Sequence, residues 1–583
     1  MILQSLYDYY QRKAALGGDA APQGFQWKEI PYLVVIDKQG KFVTMENTQK
    51  KEGKKLKGQL FLVPIAPIRS GRTIRPGLLW DQMEYALGAN PRGRSDIAER
   101  FSSFKKRIDS DLASVLHPSL EALKTFLGDD PCLQISSKMP TEDWKKLQEA
   151  NPFIAFRIDG ESPLIDEIFD LLPKPSSSSE TDDCLPFCPI SGLQGKVPRT
   201  HSKIKGVWGA QSAGATLVAF NLPSSESYGK EQNLNAPMSE QAADAYIKAL
   251  NMLLSDGSPN RIQVGEASTV FWSDREQTDK YSLESDFPFF FAMAPKDNPD
   301  RDILAVKNLY RSIDTGAAIS DTETRFFVLG LAPNSARIAV RFWHTGTIAE
   351  FSQKIKRHFD DLEIARGPRD EGRYSLFWHL TDIALEHKAD NIPPNLAGNM
   401  TRAILAGLPY PATLLQQTIR RIRAEQNVTR MRASLLKAYL NRFQRIHPNQ
   451  EQELTVPLDP NNTNPGYRLG RLFAVLEKIQ EDAQHGINTT IRDRFYGAAS
   501  SSPVTVFPQL LKLKNHHLAK LENPAFRTAH EKRLTEIFSG LPADMPAHLS
   551  MEDQARFAVG YYHQRQALFT KSEKTETQTA TQN

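Results

Sequence analysis

The sequence predicts an α+β protein, with a mixed α/β N-terminal region over residues 1–400 followed by an all-α C-terminal helical bundle over 401–570. Three observations carry this. Short runs rich in β-branched and aromatic residues recur between helical stretches as far as Trp343. Beyond about residue 400 such runs cease, and helical segments are broken by Pro or Gly at 409, 411, 448, 486, 497, 503, 524 and 542. The chain has 583 residues, more than one hydrophobic core organises, which predicts two to four domains.

In chain order, Ile2, Leu6, Tyr9 and Tyr10 recur at helical spacing before Gly17 and Gly18, predicting an opening amphipathic helix. The runs YLVVID (32–37), QLFLVPI (59–65), ATLVAF (215–220), STVFW (268–272), RFFVLGL (325–331) and ARIAVRFW (336–343) read as strands. The last two flank Ala332, Pro333, Asn334 and Ser335, the signal of a β-hairpin. A helix near 239–254 gathers Ala243, Tyr246, Ile247, Leu250 and Leu254 on one face behind a Ser239 cap. The polar stretch KPSSSSETDD (174–183) reads as a loop. In the bundle, Leu469, Leu472, Phe473, Leu476 and Ile479 form an apolar stripe, and a final helix opens at Ser550 with Asp553 three residues on. The tail 571–583 is too polar to pack and is expected to be disordered.

Apolar residues make up 40% of the chain, enough for packed cores, yet no run of about 18 of them occurs, so no membrane span is expected. Three cysteines are too few for a disulfide framework and fit a reducing compartment, with the cytoplasm as the expected location.

The pattern GxxxxGK[ST], whose amides and lysine would cradle phosphates, is absent, as are HExxH and GxSxG. Cys184 and Cys188 in CLPFC, with His201, offer zinc donors but fall short of four ligands, so a structural loop is the better reading. Asp360 and Asp361 diverge by about 100° on a predicted helix, which favours a solvated helical face over a metal-nuclease pair. His516 and His517 diverge likewise. No cofactor, no metal site and no catalytic residue is expected; a metal-dependent nuclease acting on RNA or DNA is the rival reading.

The positive signals are basic. The net charge is only +4, but residues 50–75 hold Lys50, Lys51, Lys54, Lys55, Lys57, Arg69, Arg72 and Arg75 against Glu52 alone. Residues 401–450 hold nine cations against Glu425. Such blocks attract polyanions whatever the overall charge. In IRSGRTIRPGLLWD (68–81), Arg69, Arg72 and Arg75 alternate with Ser70, Thr73 and Gly77, a composition suited to a loop that meets phosphates or enters a groove. KKEGKKLKG (50–58), with Lys51, Lys54 and Lys55, reads as a flexible segment for phosphate contact. Arg420, Arg421, Arg423, Arg430 and Arg432 accompany a helical apolar pattern with almost no acids nearby, and a nucleic-acid backbone is their expected counter-charge. An acidic protein partner is the competing explanation.

Several stretches together resemble the large subunit of the type I-C CRISPR Cascade interference complex. They are MILQSLYDYY at the start, RSGRTIRPGLLWDQMEYALG (69–88), HSKIKGVWGAQSAGATLVAFN (201–221), ESYGKEQNLNAPMSEQAADAY (226–246), FFVLGLAPNSARIAVRFW (326–343), RIRAEQNVTRMRASLLKAYLNR (421–442) and GYYHQRQALF (560–569). The resemblance implies a non-catalytic subunit that recognises the PAM flanking a target in double-stranded DNA, promotes unwinding and R-loop formation, and recruits a helicase-nuclease. In such systems the guide supplies most of the sequence specificity. Its implied partners are crRNA, target DNA, the backbone, crRNA-handle and small subunits, and the helicase-nuclease. Residues 69–77 become the motif-reading loop, with Trp80 anchoring it in the core. The family favours Asn after the proline, where this chain has Gly77. The resemblance also implies that the helices after about 457 are made separately as a small subunit from an internal start, at Leu458, Val456 or Met431.

Overall fold

A computed structural model describes all residues except 17–20, 23, 53–54, 68, 70–72, 91, 162–163, 166–185, 276–280, 296, 319–320, 368–374, 394, 449–451 and 570–583. The loop expected at 174–183 and the tail expected at 571–583 lie outside the described residues. The chain forms two compact units, one of residues 1–204 and 218–252, the other of residues 205–217 and 253–583. Among the described residues, mixed α/β structure comes first and helices alone follow the last strand.

The first unit opens with the expected helix Ile2–Ala15, which buries Leu6, Tyr9 and Tyr10. Eight strands follow: β1 (Phe25–Ile30), β2 (Tyr32–Ile36), β3 (Phe42–Asn47), β4 (Lys50–Glu52), β5 (Lys55–Lys57), β6 (Gln59–Pro64), β7 (Trp80–Gln82) and β8 (Phe153–Ile158). The apolar run of β2 is buried because the strand is central, in the order β3-β2-β8-β7. Its pairing with β8 is parallel, so the chain between them must cross over, and the helices that do so cover the sheet with Phe104, Leu123 and Phe126. β1 and β6 form a separate antiparallel pair.

The stretch 50–58, expected to be flexible, is instead an antiparallel β4–β5 hairpin. Its base is pinned, since the Thr48 hydroxyl donates to the Ile30 carbonyl at 2.5 Å and accepts from the Gln59 amide at 3.2 Å. The helix Glu240–Leu253 begins where expected, with Ser239 Oγ accepting from the Ala242 amide at 3.2 Å.

In the second unit β9 (Arg261–Val264), β10 (Ala267–Ser273), β11 (Arg325–Asn334) and β12 (Arg337–Thr347) form an antiparallel sheet in the order β12-β11-β10-β9. The expected hairpin is present, but β11 runs on through Asn334, which pairs with Arg337. ATLVAF (215–220) is not a strand. Ala215 and Thr216 form only isolated bridges, that of Thr216 to Arg337 beside the end of the hairpin. One core cluster runs from Ile262 on β9 to Tyr562 in the last helix, so residue 400 falls inside a continuous core.

The helices Pro465–Ala483 and Met551–Phe569 cross at the centre of that core. They approach through glycines. A Cβ on Gly470 would lie 2.0 Å from the Phe557 carbonyl oxygen, and one on Gly560 would lie 2.2 Å from that of Tyr467. Beside the crossing, the fully buried Glu477 accepts from Tyr561 at 2.5 Å and from Thr490 at 2.8 Å. The stripe Leu469, Leu472, Phe473, Leu476 and Ile479 is buried throughout, and Ser550 caps the final helix by accepting from the Asp553 amide at 3.1 Å.

Gly470→Ala drives a methyl group into backbone that cannot retreat, and is expected to cost about 3 kcal/mol or more. Gly398→Ala is the control, because Gly398 is helical with nothing within 4 Å of an added Cβ, and should stabilise by about 0.5–1 kcal/mol. Urea unfolding of both variants checks the contrast.

Burial also sets a pH limit. Desolvation lowers His201 and His379 to about 4 and His563 to about 3, and pushes His358 well below its ordinary value. These imidazoles stay neutral in the fold and titrate normally once unfolded, so between pH 6.5 and about 4 the unfolded chain binds the additional protons. Stability is therefore expected to fall steadily as pH drops through that window. The slope of unfolding free energy against pH should carry the sign of net proton uptake on unfolding, with the lowered His344, His517 and His530 adding to these four and the raised Asp244, Asp286 and Asp361 opposing them toward the acid end.

Candidate nucleic-acid interface

The basic segments of the first unit flank one strand. β6 leads from the lysine hairpin into the loop 65–79, and its six residues span about 20 Å at the usual rise per residue. Lys51 is exposed on β4. Lys55 lies on β5, while Lys54 is outside the described residues. Leu56 between the lysines is 66% exposed, so the hairpin presents no apolar face to a core.

The loop is held from beneath by one carboxylate. Asp81 is only 2% exposed, and its Oδ2 accepts from the Gly77 amide at 2.6 Å and from the Arg69 guanidinium. Arg69 also donates to the Arg75 carbonyl at 2.8 Å and lies 4.1 Å over the Tyr85 ring. Its guanidinium is thus committed to closing the loop. Gly77 is buried, and a Cβ there would sit 2.1 Å from the Trp80 carbonyl oxygen, so the position accepts no side chain without movement. Trp80 is the expected anchor, 2% exposed with its indole N–H donating to the Pro64 carbonyl at 2.8 Å. Arg107 reaches in to the Pro76 carbonyl.

Thr73 and Arg75 are exposed on the clamped loop, whereas Ser70 and Arg72 lie outside the described residues. Of the loop residues singled out by sequence, Thr73 and Arg75 therefore face solvent, and Arg69 and Gly77 shape the backbone. The clamp itself, Asp81 with Tyr85 and Arg107, was not foreseen. Its only trace in the sequence is an acid four residues after the glycine that closes a basic loop.

The second arginine group divides differently. Arg420 is exposed, Arg423 is exposed and donates to the Gly497 carbonyl at 3.2 Å and to Ser501 at 3.3 Å, and Arg430 is half-buried. Arg421 pairs with Glu425. Arg432 is completely buried and bound to Glu425, to Asp382 at 3.2 Å, and to the Asn427 and Asp382 carbonyls at 2.9 and 3.0 Å. Its expected role as a phosphate ligand is overturned, because its counter-charge comes from Asp382, a residue distant in sequence. Burial by itself would raise the Glu425 carboxyl, but hydrogen bonding to Arg432 and the charges of Arg432 and Arg421 hold it below its ordinary value.

Asp361 also departs from expectation. Instead of lying on a solvated face it is 2% exposed, paired with Arg445 at 2.5 Å and Arg442 at 3.5 Å, while Asp360 stays outside with Lys356 at 2.8 Å. The Asp361 carboxyl is raised by burial, against the lowering influence of Arg445. Cys188 is buried, His201 is bonded to the Tyr246 hydroxyl at 2.7 Å, and Cys184 is outside the described residues. Among the described residues no three His, Cys, Asp or Glu side chains are grouped as metal ligands, and no helix is long and apolar enough to cross a membrane.

Asp81→Asn removes the charge that binds both Arg69 and the Gly77 amide, and is expected to destabilise by about 1–3 kcal/mol. Limited trypsin digestion should then cut after Arg69 and Arg72 faster than in the unaltered protein. Unchanged cleavage would show that the loop is held some other way.

No curated protein matches the chain. The family model described as CRISPR-associated protein (Cas_Csd1) matches residues 6–569, which includes the clamped loop, the lysine hairpin and most of both compact units. The chain therefore belongs to the CRISPR-associated Csd1 family, whose members are large subunits of CRISPR Cascade complexes.

Proposed function

We propose that this chain is the non-catalytic, DNA-gripping large subunit of a type I-C surveillance complex acting in the cytoplasm. It recognises the flanking motif in double-stranded DNA, promotes strand separation so that crRNA pairs with its target, and recruits a separate helicase-nuclease. The carrying observation is the clamp on Asp81, which leaves Arg75 and Thr73 exposed beside a hydrogen-bonded turn one short strand away from a lysine hairpin.

The two elements suit different tasks. A loop whose backbone is fixed can hold a side chain in register against base edges or a groove wall, because little ordering entropy remains to be lost on binding. The hairpin carries charge on flexible stems, which fits phosphate contact without sequence reading. A separation of about 20 Å along β6 corresponds to roughly half a turn of duplex, so one DNA segment can engage both. Arg420 and Arg423 are the members of the second group left for a strand backbone, since Arg421 and Arg432 are paired with acids of the fold.

Charge reversal tests the reading. Lys51→Glu with Arg75→Glu is expected to weaken binding of the assembled, crRNA-loaded complex to target duplex, and to lower the salt slope by about 0.9 for each phosphate that is no longer neutralised. Assembly with crRNA should be unaffected. The same preparations, incubated with labelled DNA and RNA in Mg²⁺ or Mn²⁺, should leave both intact. Reproducible cleavage abolished by one carboxylate substitution would instead make the chain a metal-dependent nuclease.

A further inference from the structure

We propose that Tyr228 is a nucleobase-stacking residue, carried on a preformed turn and flanked by a phosphate-binding segment around Arg199. The proposal rests on the nucleic-acid reading above and adds to it a contact separate from the clamped loop.

The observation behind it is a conformational misfit. Residues 227–230 form a tight turn closed by the Lys230 amide donating to the Ser227 carbonyl at 3.0 Å. Both central residues are left-handed, Tyr228 with φ 54° and Gly229 with φ 68°. Mirror-image turns of this kind favour Asn or Gly at the first central position, because a Cβ there crowds the backbone. An aromatic residue is costly at that position, and such outliers persist where surrounding structure enforces them.

Packing does not offset that cost, because Tyr228 is 97% exposed. The turn is nonetheless well held. Asn235 Oδ1 accepts from the Ser227 amide at 2.9 Å, its Nδ2 donates to the Lys230 and Gln232 carbonyls at 2.7 and 2.9 Å, and Glu226 accepts from the Gln232 amide at 3.2 Å. Four hydrogen bonds thus keep one ring projecting into solvent.

Charge indicates what meets that ring. Arg199 donates to the Gln232 side chain at 2.7 Å, which ties the turn to residues 194–204, a stretch without an acid. Lys196, Arg199 and Lys203 lie along it, all three exposed. The side chains flanking the ring, Ser227, Lys230 and Glu231, are polar and exposed, unlike the apolar surround of a protein-docking anchor. A projecting aromatic beside a basic stretch is the arrangement that takes an unpaired base on its face and the adjoining phosphates on its cations.

The test uses the full chain with single-stranded RNA and DNA carrying 2-aminopurine, whose fluorescence is quenched on stacking. Tyr228→Ala is expected to weaken binding roughly 5- to 150-fold and abolish the quench, while Tyr228→Phe stays within about twofold. Tyr228→Gly should bind as poorly as Tyr228→Ala yet melt no lower than the unaltered protein, since glycine relieves the left-handed strain. The RNA and DNA arms identify which strand is held. If Tyr228→Ala binds and quenches normally, stacking is overturned and the nucleic-acid reading stands. If the unaltered chain binds neither strand, stacking is overturned, and charge reversal in the assembled complex decides the nucleic-acid reading separately. Normal strand binding with impaired docking of other subunits would assign the ring to a protein contact and overturn the proposal.

Discussion

Arginines drawn wholly or partly into this fold are held chiefly by carboxylates that arrive from other positions of the chain, and this constraint decides which cations remain for a ligand. Asp81 takes Arg69, Asp382 and Glu425 take Arg432, Asp361 takes Arg442 and Arg445, and Glu477 lies 3.6 Å from Arg565. A guanidinium withdrawn from water without a partner would be strongly destabilising, so each of these arginines meets an acid, while the buried Arg468 is met by the Pro460 and Ile537 carbonyls. What local sequence shows as a basic block is therefore a mixture. Part of it is internal bracing and part is exposed charge.

The same bracing fixes backbone where function needs it. On the loop after β6, Asp81 accepts from a main-chain amide and a guanidinium at once, so the segment around Arg75 is shaped before any ligand arrives. In the helical part, close approach does equivalent work. Gly470 and Gly560 let two helices meet backbone to backbone, and the buried Glu477 then bridges Tyr561 and Thr490 beside that contact. Packing this tight has little tolerance for added volume, because the obstructing atoms are carbonyl oxygens and not movable side chains.

Much of the fold was legible where the local signal and the final environment agree. YLVVID became the central strand β2, since an apolar run is stable only when both faces are covered, and STVFW became the fully buried β10. ATLVAF has the same local composition but forms only isolated bridges at Ala215 and Thr216, which shows that composition supplies strand propensity and not a pairing edge. The lysine hairpin was missed for the opposite reason. KKE and KLK have weak strand propensity, and their pairing follows from the pinned ends at Thr48 and Gln59. Of the candidate site, the basic loop and its Trp80 anchor were visible. The clamp on Asp81, the internal commitment of Arg432 and the burial of Asp361 were not, because pairs such as Asp382 with Arg432 join positions no periodicity relates.

The division between bracing and contact residues also explains how one chain can hold DNA through charge and remain stable as a fold. Exposed lysines and arginines repel one another, and a surface built only of such groups would be loosened by its own field. Here Arg69, Arg421 and Arg432 each neutralise an acid that has been drawn inward, so the repulsion of a basic surface is confined to a few groups. Those few, Lys51, Arg75, Arg420 and Arg423, stand on elements whose positions are already determined by buried partners. Stability and ligand attraction are consequently carried by different members of the same blocks, so reversing a contact residue should alter affinity while leaving the core intact.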